Sequence, residues 1–204
     1  ISFCKPTLQA REETIKEIIA KTGATEIHPY NNYDIIAAQA TAAMELIEET
    51  GEPDLLICPV GGGGLLSGTA LAVEYFSEKT RVIAAEPLGA DDAYRSFRQG
   101  KIVPSIDPVT IADGLLTSLG ERNFPIIMEY VSDIVTVTEE NIIKAQRMIL
   151  ERMKIVVEPS AAVTLAAILE KKIDVAGKRI GLILSGGNVD LGKMSFGITK
   201  AESR

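Results

Sequence analysis

The 204-residue sequence predicts an α/β fold, a mostly parallel twisted sheet covered by helices, with a residual βαβ piece of a smaller domain at its start. Two observations carry this. Short apolar runs, "DLLICPV" (54–60), "RVIAAE" (81–86), "DIVTVT" (133–138) and "RIGLILSGGN" (179–188), alternate with segments of helical period. Strands that alternate with helices imply right-handed crossovers, hence parallel pairing with both faces covered. The strand run 54–60 also opens directly into four glycines and a helix, "GGGGLLSGTALAVEYF", a strand–turn–helix order that requires a crossover.

Each element has its own reason. The opening "ISFC" reads as a strand already under way. Thr7 is placed to cap a helix whose Leu8, Ile15, Ile18 and Ile19 fall near helical spacing and which ends at Gly23. "TEIHP" reads as a short strand closed by Pro29, and "NNYD" as a turn in which Asp34 caps a long helix through Glu49. "DLLICPV" is continuously apolar, as a strand buried on both faces should be. Beyond the glycines, "LLSGTALAVEYF" is helical, "RVIAAE" a strand and "ADDAYRSFRQ" a helix. A looser stretch around "TIADGLLTSLG" precedes a helix at "FPIIMEYV" and the strand "DIVTVT". Two helices, "EENIIKAQRMILERM" and "SAAVTLAAILEKK", lead to a last strand that ends in glycines. The break near 29–33 divides an expected small-domain remnant, residues 1–32, from a large domain, residues 33–204.

Composition narrows the function. With 46% hydrophobic residues there is ample material for a core. A net charge of −7, spread along the chain, argues against nucleic acid or an anionic membrane as partner. No apolar run reaches spanning length and nothing at the start reads as a signal peptide. Cys4 and Cys58 form no CxxC pair and are expected to be buried, reduced thiols in the cytoplasm. His28, the single histidine, has no Cys or His neighbour that would make a zinc site.

The glycines are the most informative feature. N–H groups at a helix start lack partners and carry partial positive charge, and glycine lets an anion approach them. A tight turn alone needs one or two glycines, so four favour a ligand. The ATP/GTP loop GxxxxGK[ST] fits Gly63 and Gly68 but puts Thr69 where lysine is required. The dinucleotide fingerprint GxGxxG puts Leu66 or Ser67 at its third glycine, although Glu86 ends the next strand where a ribose-binding acid would sit. A ligand with one phosphate monoester fits better, and a dinucleotide is the weaker rival. In doubly wound sheets ligands collect outside the carboxyl ends of strands. Gly61–Gly64, Glu86 with "PLGADD", and "SGGNVD" at 185–190 are therefore expected to converge on one crevice.

"CPVGGGGLLSG", "AAEPLGADD", "TIADG", "ERMKIVVEPSAA" and "LSGGNVDL" together closely resemble the serine/threonine dehydratase and serine racemase group. These are fold-type II enzymes that use pyridoxal 5′-phosphate (PLP), and the resemblance runs the length of the chain. It implies that Gly61, Gly62, Gly63 and Gly64, with the N–H of Leu65, bind the PLP phosphate. It implies that Ser185 faces the pyridine nitrogen as a neutral partner, and that Gly114 and Glu158 line the cofactor pocket. Glu86, Ala90 and Asp92 match a divalent-cation site for Mg²⁺ or Ca²⁺, two carboxylates and a carbonyl being hard oxygen ligands. Arg152, Lys154 and Asn188 match contacts to a nucleotide effector. Two small departures stand out: Gln39-Ala40-Thr41 replaces a commoner Gln-Gly-Thr, and Lys5 sits where an acid is frequent.

The larger departure is an absence. In this group the Schiff-base lysine and the Ser/Gly/Asn-His segment that grips the substrate carboxylate lie upstream, and none of the twelve lysines here occupies a matching position. No residue of this chain is therefore assigned as catalytic. The chain is expected to be the C-terminal portion of a homodimeric enzyme, partnered by the N-terminal part of the same enzyme. By itself it is expected to be inactive and to bind PLP poorly. The expected parent reaction is loss of the β-hydroxyl from L-serine or L-threonine, giving a 2-oxo acid and ammonia. Serine racemase is the nearest alternative, and a non-catalytic truncated homologue binding a phosphorylated ligand is another.

Overall fold

The computed structural model describes residues 1–5 and 7–193. Among these residues four parallel strands form one sheet: β1 (Leu55–Pro59), β2 (Arg81–Pro87), β3 (Asp133–Val137) and β4 (Ile180–Leu182), in the order β3-β2-β1-β4. The helices around it are α1 (Leu8–Thr22), α2 (Tyr33–Thr50), α3 (Gly64–Phe76), α4 (Asp92–Gln99), α5 (Asn123–Tyr130), α6 (Glu139–Met153) and α7 (Pro159–Leu169). Every strand pairing is parallel, with Leu56 opposite both Val82 and Gly181. This is the predicted α/β class.

β1 is buried at every position, as its unbroken apolar run requires of a central strand. Its side chains divide by pleat. Leu55 and Ile57 join the core under α6 and α7, while Leu56 and Cys58 join the core under α2, α3 and α5. α7 is apolar on nearly every face and has Pro159 in its first turn, where a missing N–H costs nothing. The predicted caps of α1 are present: Thr7 Oγ1 accepts from Ala10 N at 3.2 Å, and Gly23 closes the helix at φ +70°.

Three local expectations are corrected. Residues 1–4 and 25–28 are not strands, because no neighbouring strand among the described residues pairs with them. Ile1, Phe3 and Ile27 are left strongly exposed there. α2 is capped by Asn32, whose Oδ1 accepts from Asp34 N and Ile35 N, so Asp34 lies inside the first turn. His28 Nδ1 accepts from Asn31 N at 2.9 Å and so shapes the turn that the sequence places before α2.

Candidate functional site

From β1 the chain moves to β2 and β3 on one side, whereas β4 returns on the other. The strand order therefore reverses between β1 and β4, and the crevice beyond their carboxyl ends is where such sheets collect ligands. The loop leaving β1 is Gly61–Gly64 and the segment leaving β4 carries Ser185. Both line one cavity of about 230 Å³, together with Leu65, Gly114, Glu158 and Ser160. That is smaller than the roughly 300–1,000 Å³ of a typical drug-sized site, and it suits a compact ligand better than a dinucleotide.

Among the described residues, the N–H groups of Gly61 through Leu66 donate to no protein acceptor. The ladder resumes at Ser67 N, which donates to Gly63 O at 2.8 Å. Several adjacent unpaired donors at the start of the 13-residue α3 make an anion cradle.

The reason for four glycines differs from the sequence-based one. A Cβ on Gly62 would lie 2.4 Å from three carbons of the Tyr30 ring, and one on Gly64 2.9 Å from Tyr30 Cβ. On Gly61 it would stand 3.1 Å from Leu115 Cα, and on Gly63, at φ +93°, 2.9 Å from Asn123 Cβ. Protein, not ligand, occupies the Cβ side of the whole loop. Asn123, fully buried, holds this packing with Nδ2 donating to Tyr30 O and Gly62 O at 3.0 Å each. Gly120 N also donates to Gly62 O at 3.0 Å.

The opposite wall comes from the start of α7. Glu158 N donates to Gly186 O at 3.0 Å, and Glu158 Oε2 accepts from Asn188 N at 3.2 Å. Ser160 Oγ accepts from Gly114 N at 3.0 Å. Glu158 and Ser160 thus pin the two loops that carry Ser185 and Gly114. The Ser185 hydroxyl makes no hydrogen bond among the described residues and is free for a ligand atom.

Glu86, Ala90 and Asp92 do not join this crevice, contrary to the expected convergence. Glu86 is 1% exposed and its carboxylate lies under the start of α4, accepting from Ala93 N and Tyr94 N. Orphan donors at that helix end draw it inward. Buried beneath α4 and outside the lining of the glycine-loop cavity, Glu86 is not placed to bind a ribose there, which removes the dinucleotide reading. Asp92 is 2% exposed, and its Oδ2 is buried without a partner. Burial pushes the Glu86 carboxyl up to about 9, against the pull of the Tyr94 N–H and with help from Asp92, and pushes Asp92 up to about 6. Among the described residues no group of three or more His, Cys, Asp or Glu gathers as a metal site. Two carboxylates, that of Asp92 with an orphaned buried oxygen, and the Ala90 carbonyl are what a hard cation would meet there.

Arg152 is exposed in the last turn of α6, and Lys154 caps that helix at φ +61° with Nζ donating to Glu151 O at 2.7 Å. Asn188 is exposed in the segment after β4. Tyr30, Asn123 and Ser160 are site residues that the sequence reading missed. "HPYNN" and "RNFP" carry only turn and cap signals, and nothing local shows that they meet the glycine loop.

The sequence pattern of pyridoxal-phosphate dependent enzymes matches residues 1–186. The chain is 46% identical over 196 residues to a beta-hydroxyaspartate dehydratase of Paracoccus denitrificans, covering 96% of this chain and 62% of that protein. It is 48% identical over 201 residues to a serine racemase of Dictyostelium discoideum, covering 96% and 61%. The crystal structure of a T.th. threonine deaminase superposes with a TM-score of 0.86 at 44% identity, over 91% of this chain and 62% of that one. The chain thus spans about three fifths of the length of the relatives it matches. A phosphate-sized cradle at the sheet's switch point, with a free serine hydroxyl across the same cavity, belongs with this sequence likeness: the chain is a member of the pyridoxal-phosphate-dependent enzyme family.

Proposed function

We propose that the full-length protein is a dehydratase of β-hydroxy amino acids, releasing a 2-oxo acid and ammonia, and that this chain supplies most of its cofactor site. The observation that carries the reading is the pairing, in one small cavity, of the unpaired N–H groups of Gly61–Leu66 with the free Ser185 hydroxyl. The loop is the proposed seat of the PLP phosphate, and Ser185 the proposed partner of the ring nitrogen. PLP, when bound, draws electron density from the substrate α-carbon. A serine hydroxyl is neutral and does not hold the ring nitrogen protonated as a carboxylate would, which suits expulsion of a β-hydroxyl without a long-lived carbanion. Glu158 and Ser160 keep the two loops at the spacing that one ligand must bridge. Glu86, Ala90 and Asp92 are the proposed ligands of a Mg²⁺ or Ca²⁺ ion that ties the end of β2 to α4. Arg152, Lys154 and Asn188 are a proposed effector contact.

Racemisation is the second reading, favoured by the 48% identity to a serine racemase. The two separate in one experiment on the full-length enzyme with L-serine, L-threonine and 3-hydroxyaspartate. Elimination predicts stoichiometric 2-oxo acid and ammonia. Accumulation of the D-amino acid without ammonia overturns it.

A further inference from the structure

Asn123 is 0% exposed and takes no part in the lining of the glycine-loop cavity. Both protons of its Nδ2 are in use, one on Gly62 O and one on Tyr30 O, each at 3.0 Å. Gly62 O receives a second donor, Gly120 N, also at 3.0 Å. The Gly62 carbonyl and the Gly63 N–H belong to one planar trans peptide unit and point in opposite directions. Two donors that hold the carbonyl therefore aim the Gly63 N–H away from Asn123, toward the cavity that Gly63 lines. That N–H donates to no protein acceptor among the described residues. The Asn123 amide has one workable orientation. Its Oδ1 is buried without a partner, yet turning the amide over would set that oxygen against two carbonyls. The chain beside it is braced as well: Arg122 donates from N to Asn31 Oδ1 at 3.0 Å and from Nη1 to Asn31 O at 2.7 Å.

We propose that Asn123 is a positioning residue for the cofactor phosphate, acting through the Gly62–Gly63 peptide. The inference rests on the reading that the glycine loop seats the PLP phosphate, and it assigns the residue that sets the donor geometry of that seat. Donation to a carbonyl oxygen polarises the peptide, so the N–H at its other end becomes a stronger donor to an anion. Without Asn123, Gly120 N would hold the Gly62 carbonyl at a single point and the peptide could rock about it. Gly63, at φ +93°, is the next link and has no side chain to stop that motion. A primary amide supplies two donors from one atom, so the same side chain ties the loop to the Tyr30 turn.

The test is equilibrium dialysis of the full-length apoenzyme with PLP and with pyridoxal, which lacks the phosphate. The readout is the ratio of the two affinities and needs no turnover. Asn123→Ala is expected to weaken PLP about tenfold, the worth of one hydrogen bond to a charged group, and to leave pyridoxal within about twofold. Asn123→Thr keeps one donor and is expected to lose part of the ratio. Its larger side chain fills more of the space, so it tests the inference even where Asn123→Ala folds badly. A merely structural role would weaken PLP and pyridoxal in parallel, and that result overturns the inference. A wild-type enzyme that binds PLP no more tightly than pyridoxal sinks the phosphate seat itself. A preference for PLP that every folded variant keeps in full sinks the role of Asn123 alone.

Discussion

Gly62→Ala tests the finding that protein packing, not the ligand, demands glycine in the loop. Its added Cβ would lie 2.4 Å from three Tyr30 ring carbons, against an optimum of about 3.5–4.0 Å. The ring would have to retreat by more than about 1 Å. It is held by Asn123, whose Nδ2 donates to the Tyr30 carbonyl at 3.0 Å. Gly62 has no positive φ, so backbone strain adds nothing. The cost is then overpacking alone, expected near the upper end of the usual ~1–3 kcal/mol. Urea unfolding of wild type, Gly62→Ala, Tyr30→Ala and the double variant isolates the contact. In the Tyr30→Ala background Gly62→Ala should cost almost nothing, a coupling of roughly 2–3 kcal/mol. Gly64→Ala is the control. Its Cβ meets Tyr30 Cβ at 2.9 Å and Cα at 3.0 Å, atoms that Tyr30→Ala retains, so it should not be rescued. An undiminished Gly62→Ala penalty without the ring refutes the reasoning, and so does equal rescue of Gly64→Ala.

Asn123→Ala removes two hydrogen bonds of 3.0 Å, one buried and one half-buried, and should lower stability by about 2–3 kcal/mol in the same urea assay. Cys58 is fully buried, as expected, and burial pushes its thiol up to about 12, whereas Cys4, expected to be buried, is exposed in irregular chain that pairs with no strand among the described residues. A thiol reagent should therefore titrate one equivalent in the native protein and a second only after unfolding. Glu86 is raised from 4.5 to about 9 and Asp92 from 3.8 to about 6. The folded state thus holds these protons more tightly than the unfolded chain. Their contribution is complete below about pH 4 and is lost as pH rises toward about 9. In chelator the melting temperature should fall across that window, and Mg²⁺ or Ca²⁺ should flatten the fall by favouring the ionised carboxylates. A slope unchanged by either ion counts against the cation site.

The sequence by itself determined the order of the main elements, the parallel class, the ends of α1, and that the glycine loop and the Ser185 segment come to one crevice. Those features rest on hydrophobic period, caps and turn chemistry, which act over a few residues, and on a topological rule that needs only strand order. Its failures have one cause. Residues 1–4 and 25–28 have strand-like composition, but a strand exists only with a partner to take its hydrogen bonds, and none pairs with them among the described residues. Glu86 is placed by the sequence at the right strand end but turned toward the wrong neighbour, because the start of α4 competes for its carboxylate. Only the tertiary structure decided that Tyr30, Asn123 and Leu115 occupy the space the glycines leave. It also decided that the Asn123 amide reaches the Gly62 carbonyl. These contacts join residues tens of positions apart, and side-chain packing between distant segments leaves no periodic trace in the chain that makes it.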